Sequence, residues 1–220
     1  MIYEDLKVIE YGTAWDYQER LFADAISLKN KRITPDNHLL FCEHPPVITM
    51  GKHGKPENLL FQENFLKEKG VSLFQIDRGG DVTYHGPGQL VGYPIFDLES
   101  FGIGLRQYIF NLEEIIIRFL QGYNIKSERL TSAAGVWIDT DKPAHTRKIA
   151  AIGVRSSRYV TMHGFALNIN TDLSYFSLIN PCGFTDKGVT SMEKELGQKI
   201  DIEESKSQLR TLFEEIFMEK

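Results

Sequence analysis

Cysteine is scarce: the 220-residue chain has two, Cys42 and Cys182. Two thiols cannot build a disulfide framework, so a small cross-linked secreted scaffold is excluded and a reducing compartment, the cytoplasm, is the expected location. Long apolar runs are missing as well. None approaches the roughly 18 residues that a membrane-spanning helix needs. Glu4 and Asp5 stand where an export signal would carry positive charge and an apolar stretch. Positive charge is not in excess, because 25 Lys and Arg against 30 Asp and Glu give a net charge of −5. That removes any overall argument for nucleic-acid or membrane binding. The chain has no internal repeat, no HExxH or paired CxxC spacing, no Walker A loop and no Rossmann glycine pattern. Neither a metal nor a cofactor is expected.

What is present reads as one catalytic domain over residues 1–220. Residues 14–31 carry Leu21, Ala25 and Leu28 on one helical face, and residues 58–69 read as a short helix stopped by Gly70. The clearest helix runs from Gly104 to Gln121, with Leu105, Ile109, Leu112, Ile116 and Phe119 at helical spacing. A last helix is expected over 202–219. HLLFCE, VITMGK, VSLFQI, AAGVWID, KIAAIGV and VTMHGFALNIN read as strands. The elements do not alternate regularly, which predicts an α+β fold with a mixed, mostly antiparallel sheet flanked by helices.

Three places carry chemistry. Cys182 lies in Asn180-Pro181-Cys182-Gly183, an irregular turn that exposes a thiol and lets the next amide approach a ligand. The plainer reading is a buried cysteine acting as a small hydrophobe, and that reading fits Cys42 in its apolar run. A nucleophilic thiol needs a base or cation beside it. Lys148 opens the apolar run 148–154, where burial at a strand edge favours a neutral amine. On spacing alone it reads equally as a solvated lysine next to Arg147. The third place is the segment Arg78-Gly79-Gly80-Asp81-Val82-Thr83-Tyr84-His85, continuing to Gln89, whose glycines let backbone wrap a ligand. Its plainer reading is a glycine-rich hairpin. His163 is expected to shape a pocket or to satisfy a buried hydrogen bond.

RGGDVTYHGPGQLVGYPIFDL, KIAAIGV, HGFALNINTDL and INPCGF occur in this order over roughly residues 78–190. Together they resemble the lipoyl(octanoyl) transferases. The resemblance implies a fold related to the biotin and lipoate protein ligases. It implies transfer of octanoyl from octanoyl-acyl carrier protein to a lysine of lipoyl domains, as in 2-oxoacid dehydrogenases and the glycine cleavage H protein. It also implies Cys182 as the acyl-thioester nucleophile and Lys148 as the lysine that activates it. Arg78 to His85, Ala151-Ile152-Gly153 and Gly164-Phe165-Ala166 match the substrate-contacting segments. Val82, Ile152 and Phe165 are expected walls of the acyl slot. Asp139–Arg147 departs from the pattern as a longer hairpin loop, expected near the pocket mouth.

Two other readings fit parts of this pattern. An ATP-dependent lipoate or biotin ligase on the same fold would not need Cys182. A silent carrier-binding module would not need both Cys182 and Lys148. Because the chain is acidic, attraction to acidic carriers has to come from a local patch. Lys52, His53, Lys55, Arg147, Lys148, Arg155 and Arg158 are expected to form its basic rim.

Overall fold

Strand alternation in the chain's apolar runs sorts residues onto two faces. In strand β2 (His38–Glu43), Leu39 and Phe41 join one core while Leu40 and Cys42 join another. The computed structural model describes residues 1–131, 133–180 and 187–218. Its large sheet has the order β1-β2-β6-β10-β9-β8-β7. Here β1 is Ile2–Val8, β6 Gln89–Ile95, β7 Glu128–Leu130, β8 Ala133–Ile138, β9 Arg147–Ser157 and β10 Val160–Asn168. The short β11 (Gly188–Val189) adds to β9. The ladders are antiparallel except β1 with β2 and β11 with β9. A smaller sheet places β3 (Val47–Met50) between β4 (Ser72–Gln75) and β5 (Val82–His85). This is the mixed, mostly antiparallel α+β arrangement expected.

Helices cover both faces of the large sheet. On one side, α3 (Leu105–Gly122) brings Leu112, Ile115, Ile116 and Phe119, and α5 (Ile202–Met218) brings Leu209, Phe213 and Phe217. They pack on Leu90, Phe165 and Leu167. On the other side, α1 (Tyr11–Asn30) seats Ala14, Phe22 and Ala25 against Val91, Tyr93 and Ala166. Burying an aliphatic or aromatic side chain contributes about 1.5–3 kcal/mol, so these two layers hold the sheet. The short helices α2 (Glu63–Glu68) and α4 (Met192–Leu196) complete the set, and a single 3-10 turn at Pro56–Asn58 replaces the start expected for the former. None of the described helices is long and apolar enough to cross a membrane.

Two features of this fold make the site. The β8–β9 ladder begins at the first residues of β9 and stops at Ala150, which leaves the rest of β9 as an edge. Onto that edge the loop before β5 docks, its Gly79 N–H donating to the Val154 carbonyl at 2.9 Å. The same loop is laced to the one after β3 by Gly51, Lys52 and His53, whose amides donate to the carbonyls of Asp81, Arg78 and Gly80.

Candidate active site

A cavity of about 720 Å³ opens between the two sheets and the edge of β9. Its wall is largely apolar, with Val82, Val91, Leu105, Ile109, Ile152 and Phe165 among its members. Gly92 makes room for one of them: a Cβ there would sit 2.2 Å from the Phe165 ring. The cavity runs along the strands from Lys148 to Val154 on β9, a span of roughly 20 Å at the usual rise per residue.

At one end, Lys148 reaches in from β9, its ammonium 4.5 Å from the Trp137 ring centroid. Gly135 accommodates this side chain. A Cβ on Gly135 would lie 3.5 Å from Lys148 Cε and 2.5 Å from the Ala150 carbonyl oxygen, and its φ of 122° already disfavours a side chain. The Gly135 amide is held by the buried Glu113 carboxylate at 3.0 Å. The end is also tied by its backbone: Thr190 N–H donates to the Lys148 carbonyl at 2.9 Å.

Across the sheet from Lys148 lies a set of buried polar side chains. His44 donates from Nδ1 to the Ile9 carbonyl at 2.7 Å, so its Nε2 accepts from the Tyr93 hydroxyl, also at 2.7 Å. Gln89 donates to Tyr84 O and to Asn168 Oδ1, which leaves its oxygen to accept from His85 Nδ1 at 2.7 Å. Asn168 in turn donates to the Thr190 carbonyl. Burial pushes His44 down to about 4 and His85 to about 3, so both are neutral imidazoles near pH 7. His85 then keeps a lone pair on Nε2. His163 adopts φ 59° within β10, its amide held by Gln18 Oε1 and its Nε2 by Asp77 at 3.0 Å. Burial lowers its pKa although Asp77 opposes the shift. The bond to His163, aided by Arg155, holds the Asp77 carboxyl below its usual range.

The residues named from sequence converge here. Arg78, Gly79, Gly80, Asp81, Val82, Thr83, His85, Lys148, Ala151, Ile152, Gly153, Gly164, Phe165 and Ala166 all line the cavity. Tyr84 is placed elsewhere, buried and stacked on Tyr175 at 4.9 Å with Phe176 edge-on. Arg78 braces the loop through the Thr49 carbonyl and hydroxyl and its neighbour Gly79. Cys182 lies outside the described residues; the described chain resumes at Lys187, and Val189 of β11 then pairs with Lys148. Cys42 is fully buried and burial pushes its thiol up, which makes it a core residue. Gln89, at the end of the glycine segment, also lines the cavity, and so do Tyr11, Tyr93 and Asn168, which are not singled out as site residues in the sequence. Gln89 and Asn168 sit opposite each other across the β6–β10 ladder, a register that no local pattern reveals.

The expected basic rim shrinks to one loop. His53 and Lys55 line the cavity and Lys52 beside them is exposed. Arg147 is engaged by Glu195 and Asp139, and Arg155 by Asp77 and Glu19. Arg158 stands at the far turn of the β9–β10 hairpin, bonded to Asn30. The loop over 139–146 is tethered at its base by the Arg147–Asp139 pair and contributes nothing to the cavity wall.

Comparison with known proteins agrees with this architecture. Residues 10–214 match the lipoyl protein ligase A/B catalytic domain family. An octanoyltransferase of Parabacteroides distasonis is 61% identical over 98% of this chain and 97% of that protein. An octanoyltransferase of Porphyromonas gingivalis is 57% identical over 98% of this chain and 44% of that longer protein. A bi-partite lipoate protein ligase from Thermoplasma acidophilum superposes with a TM-score of 0.70 over 99% of this chain and 83% of its own, at 16% identity. That last likeness is one of fold.

Proposed function

The chain belongs to the lipoyl protein ligase A/B catalytic domain family, and from that premise we propose that it is an octanoyltransferase of protein lipoylation. Residues 1–220 act as one catalytic domain, which moves octanoyl from octanoyl-acyl carrier protein to a lysine of a lipoyl domain. The acceptors are the lipoyl domains of 2-oxoacid dehydrogenases and the glycine cleavage H protein. A reducing cytoplasm keeps both cysteines as thiols. The observation that carries this reading is the apolar cavity into which Lys148 reaches, in a chain 61% identical to an octanoyltransferase.

The donor is already a thioester, so no ATP is needed. Lys148 takes the proton of Cys182, and the thiolate attacks the thioester carbonyl. The carbon–sulfur bond to the carrier breaks as the bond to Cys182 forms, and Lys148 returns a proton to the leaving thiol. The acceptor amine then attacks the acyl-enzyme, and its proton passes through Lys148 to the Cys182 sulfur. The apolar wall holds the acyl chain and keeps water from hydrolysing the intermediate.

The test is transfer without nucleotide. Octanoyl-acyl carrier protein and an unmodified lipoyl domain, with no ATP, should yield an acceptor heavier by one octanoyl group. A lipoate-ligase reading requires instead free octanoate and ATP, with release of AMP. Modification only under the second condition would overturn the proposal.

A further inference from the structure

We propose that the main-chain N–H and C=O of Ile152 form a binding subsite for a secondary amide on an extended arm of the substrate, an inference that rests on the acyl-transfer reading above. In an antiparallel strand, alternate residues turn both main-chain groups to opposite sides. On β10, Thr161 and His163 turn their amides away from β9, donating to Phe96 O and to Gln18 Oε1. By alternation Gly164 and Ala166 face β9, opposite Gly153 and Ala151. Ile152 and Val154 therefore face away from β10, and the Val154 carbonyl does accept from Gly79 on that side. Ala150 faces the same way and pairs with Val136, the last pairing of the β8–β9 ladder. Ile152 lies between these two engaged rungs, and its own groups have no partner among the described residues.

An open rung on a sheet edge is common and usually wets in solvent. This one faces the cavity instead. It also lies beside the chemistry. Lys148 Cε and the Ala150 carbonyl both crowd the point where a Gly135 Cβ would be. The Lys148 side chain thus follows the strand edge to Ala150, one rung of about 7 Å short of Ile152. A group held on the rung is that close to an acyl carbon beside Lys148.

The matching ligand offers a carbonyl and an N–H together, as the next strand of a sheet would. A secondary amide does this, and an ester offers only the carbonyl. The pantetheine arm of the proposed donor carries its first amide two methylenes from the sulfur. The peptide around the acceptor lysine carries amides as well, one lysine side chain away from the amine.

The experiment compares two small donors, octanoyl-N-acetylcysteamine and the same thioester with its amide replaced by an ester. Acylation of the enzyme is timed by intact mass without acceptor. One hydrogen bond of ordinary net strength predicts that the amide donor acylates about three- to tenfold faster. Ile152→Pro removes the outward N–H and leaves the β10 ladder intact, so the preference should vanish in that variant. A second arm times transfer to a lysine peptide and to its counterpart with a backbone ester beside the lysine. A preference found only there assigns the rung to the acceptor and supports the subsite. Equal rates in both arms, in the wild-type chain, overturn the inference while the acyl-enzyme stands. Absence of any acyl adduct with either donor overturns the function reading, and this inference with it.

Discussion

Two parts of the cavity wall are built from different material. Around Lys148 the wall offers a cation over an aromatic ring and a glycine that makes room for it. Around His44, His85 and His163 the wall offers imidazoles whose burial keeps them neutral, each tied through one ring nitrogen to a carbonyl, an amide side chain or a carboxylate, with the buried Arg78 guanidinium nearby. A neutral, locked imidazole positions a ligand, whereas an ammonium at the wall can exchange protons with a thiol. On the proposed function, the contrast assigns proton transfer to Lys148 and shape and recognition to the histidines.

Removing Lys148 is the harshest way to break that contrast. Lys148→Ala should slow acylation by about 10²–10⁴-fold, the range of general acid–base catalysis. The alkylation of Cys182 by iodoacetamide should shift to higher pH in the same variant. His85→Ala should act mainly on the Michaelis constant, and an equal loss of turnover in both variants would erase the distinction between the two parts of the wall. Gly135→Ala sharpens the same point without replacing an ionisable side chain. Its Cβ meets the Ala150 carbonyl and crowds Lys148, so acylation should fall about a hundredfold, as for a catalytic group displaced by an ångström. Unchanged acylation rates would mean that the passage past Gly135 does not position Lys148.

Much of this contrast was hidden in the sequence. The strands that carry Lys148, Ile152 and Phe165 were legible because their apolar runs stand out, and α3 was legible from its helical spacing. Strand β1 was not: it holds Glu4, Asp5 and Lys7 at the sheet edge, and its partner is β2, some thirty-five positions on. The glycine segment marked the cavity wall, yet Tyr84 within it turns to Tyr175. The histidine cluster depends on register, since Gln89 meets Asn168 only through the β6–β10 ladder. Arg158 misled by proximity in sequence. An extended strand carries it about 33 Å along from Lys148. Cys182 lies outside the described residues, so its pairing with Lys148 rests on the motif and on the family.

The buried histidines should show themselves in acid. Native values of about 4 for His44 and about 3 for His85 lie below the roughly 6.5 of an unfolded histidine. As pH falls the unfolded chain takes up protons first, so stability is full above about pH 6.5 and declines toward pH 4. The slope is at most about 1.4 kcal/mol per pH unit for each group. Urea midpoints measured across that window should fall, and His44→Gln should flatten the curve. A wild-type midpoint flat between pH 7 and 4.5 would mean these imidazoles are not held neutral. The smallest effect concerns the rim. Lys52→Glu should raise the apparent Michaelis constant for the protein donor a few-fold and weaken its salt dependence. Arg158→Glu should leave both unchanged, and the reverse order would return the docking surface to the far hairpin.

The central claim is a covalent octanoyl group on Cys182, formed with the help of Lys148. Intact-mass analysis after mixing with octanoyl-acyl carrier protein, followed by peptide mapping, reads it directly. The account predicts one octanoyl adduct on the peptide containing Cys182, kept in Cys42→Ala, slowed in Lys148→Ala and lost in Cys182→Ala together with turnover. Transfer that continues in Cys182→Ala, or an adduct on Cys42, would contradict it.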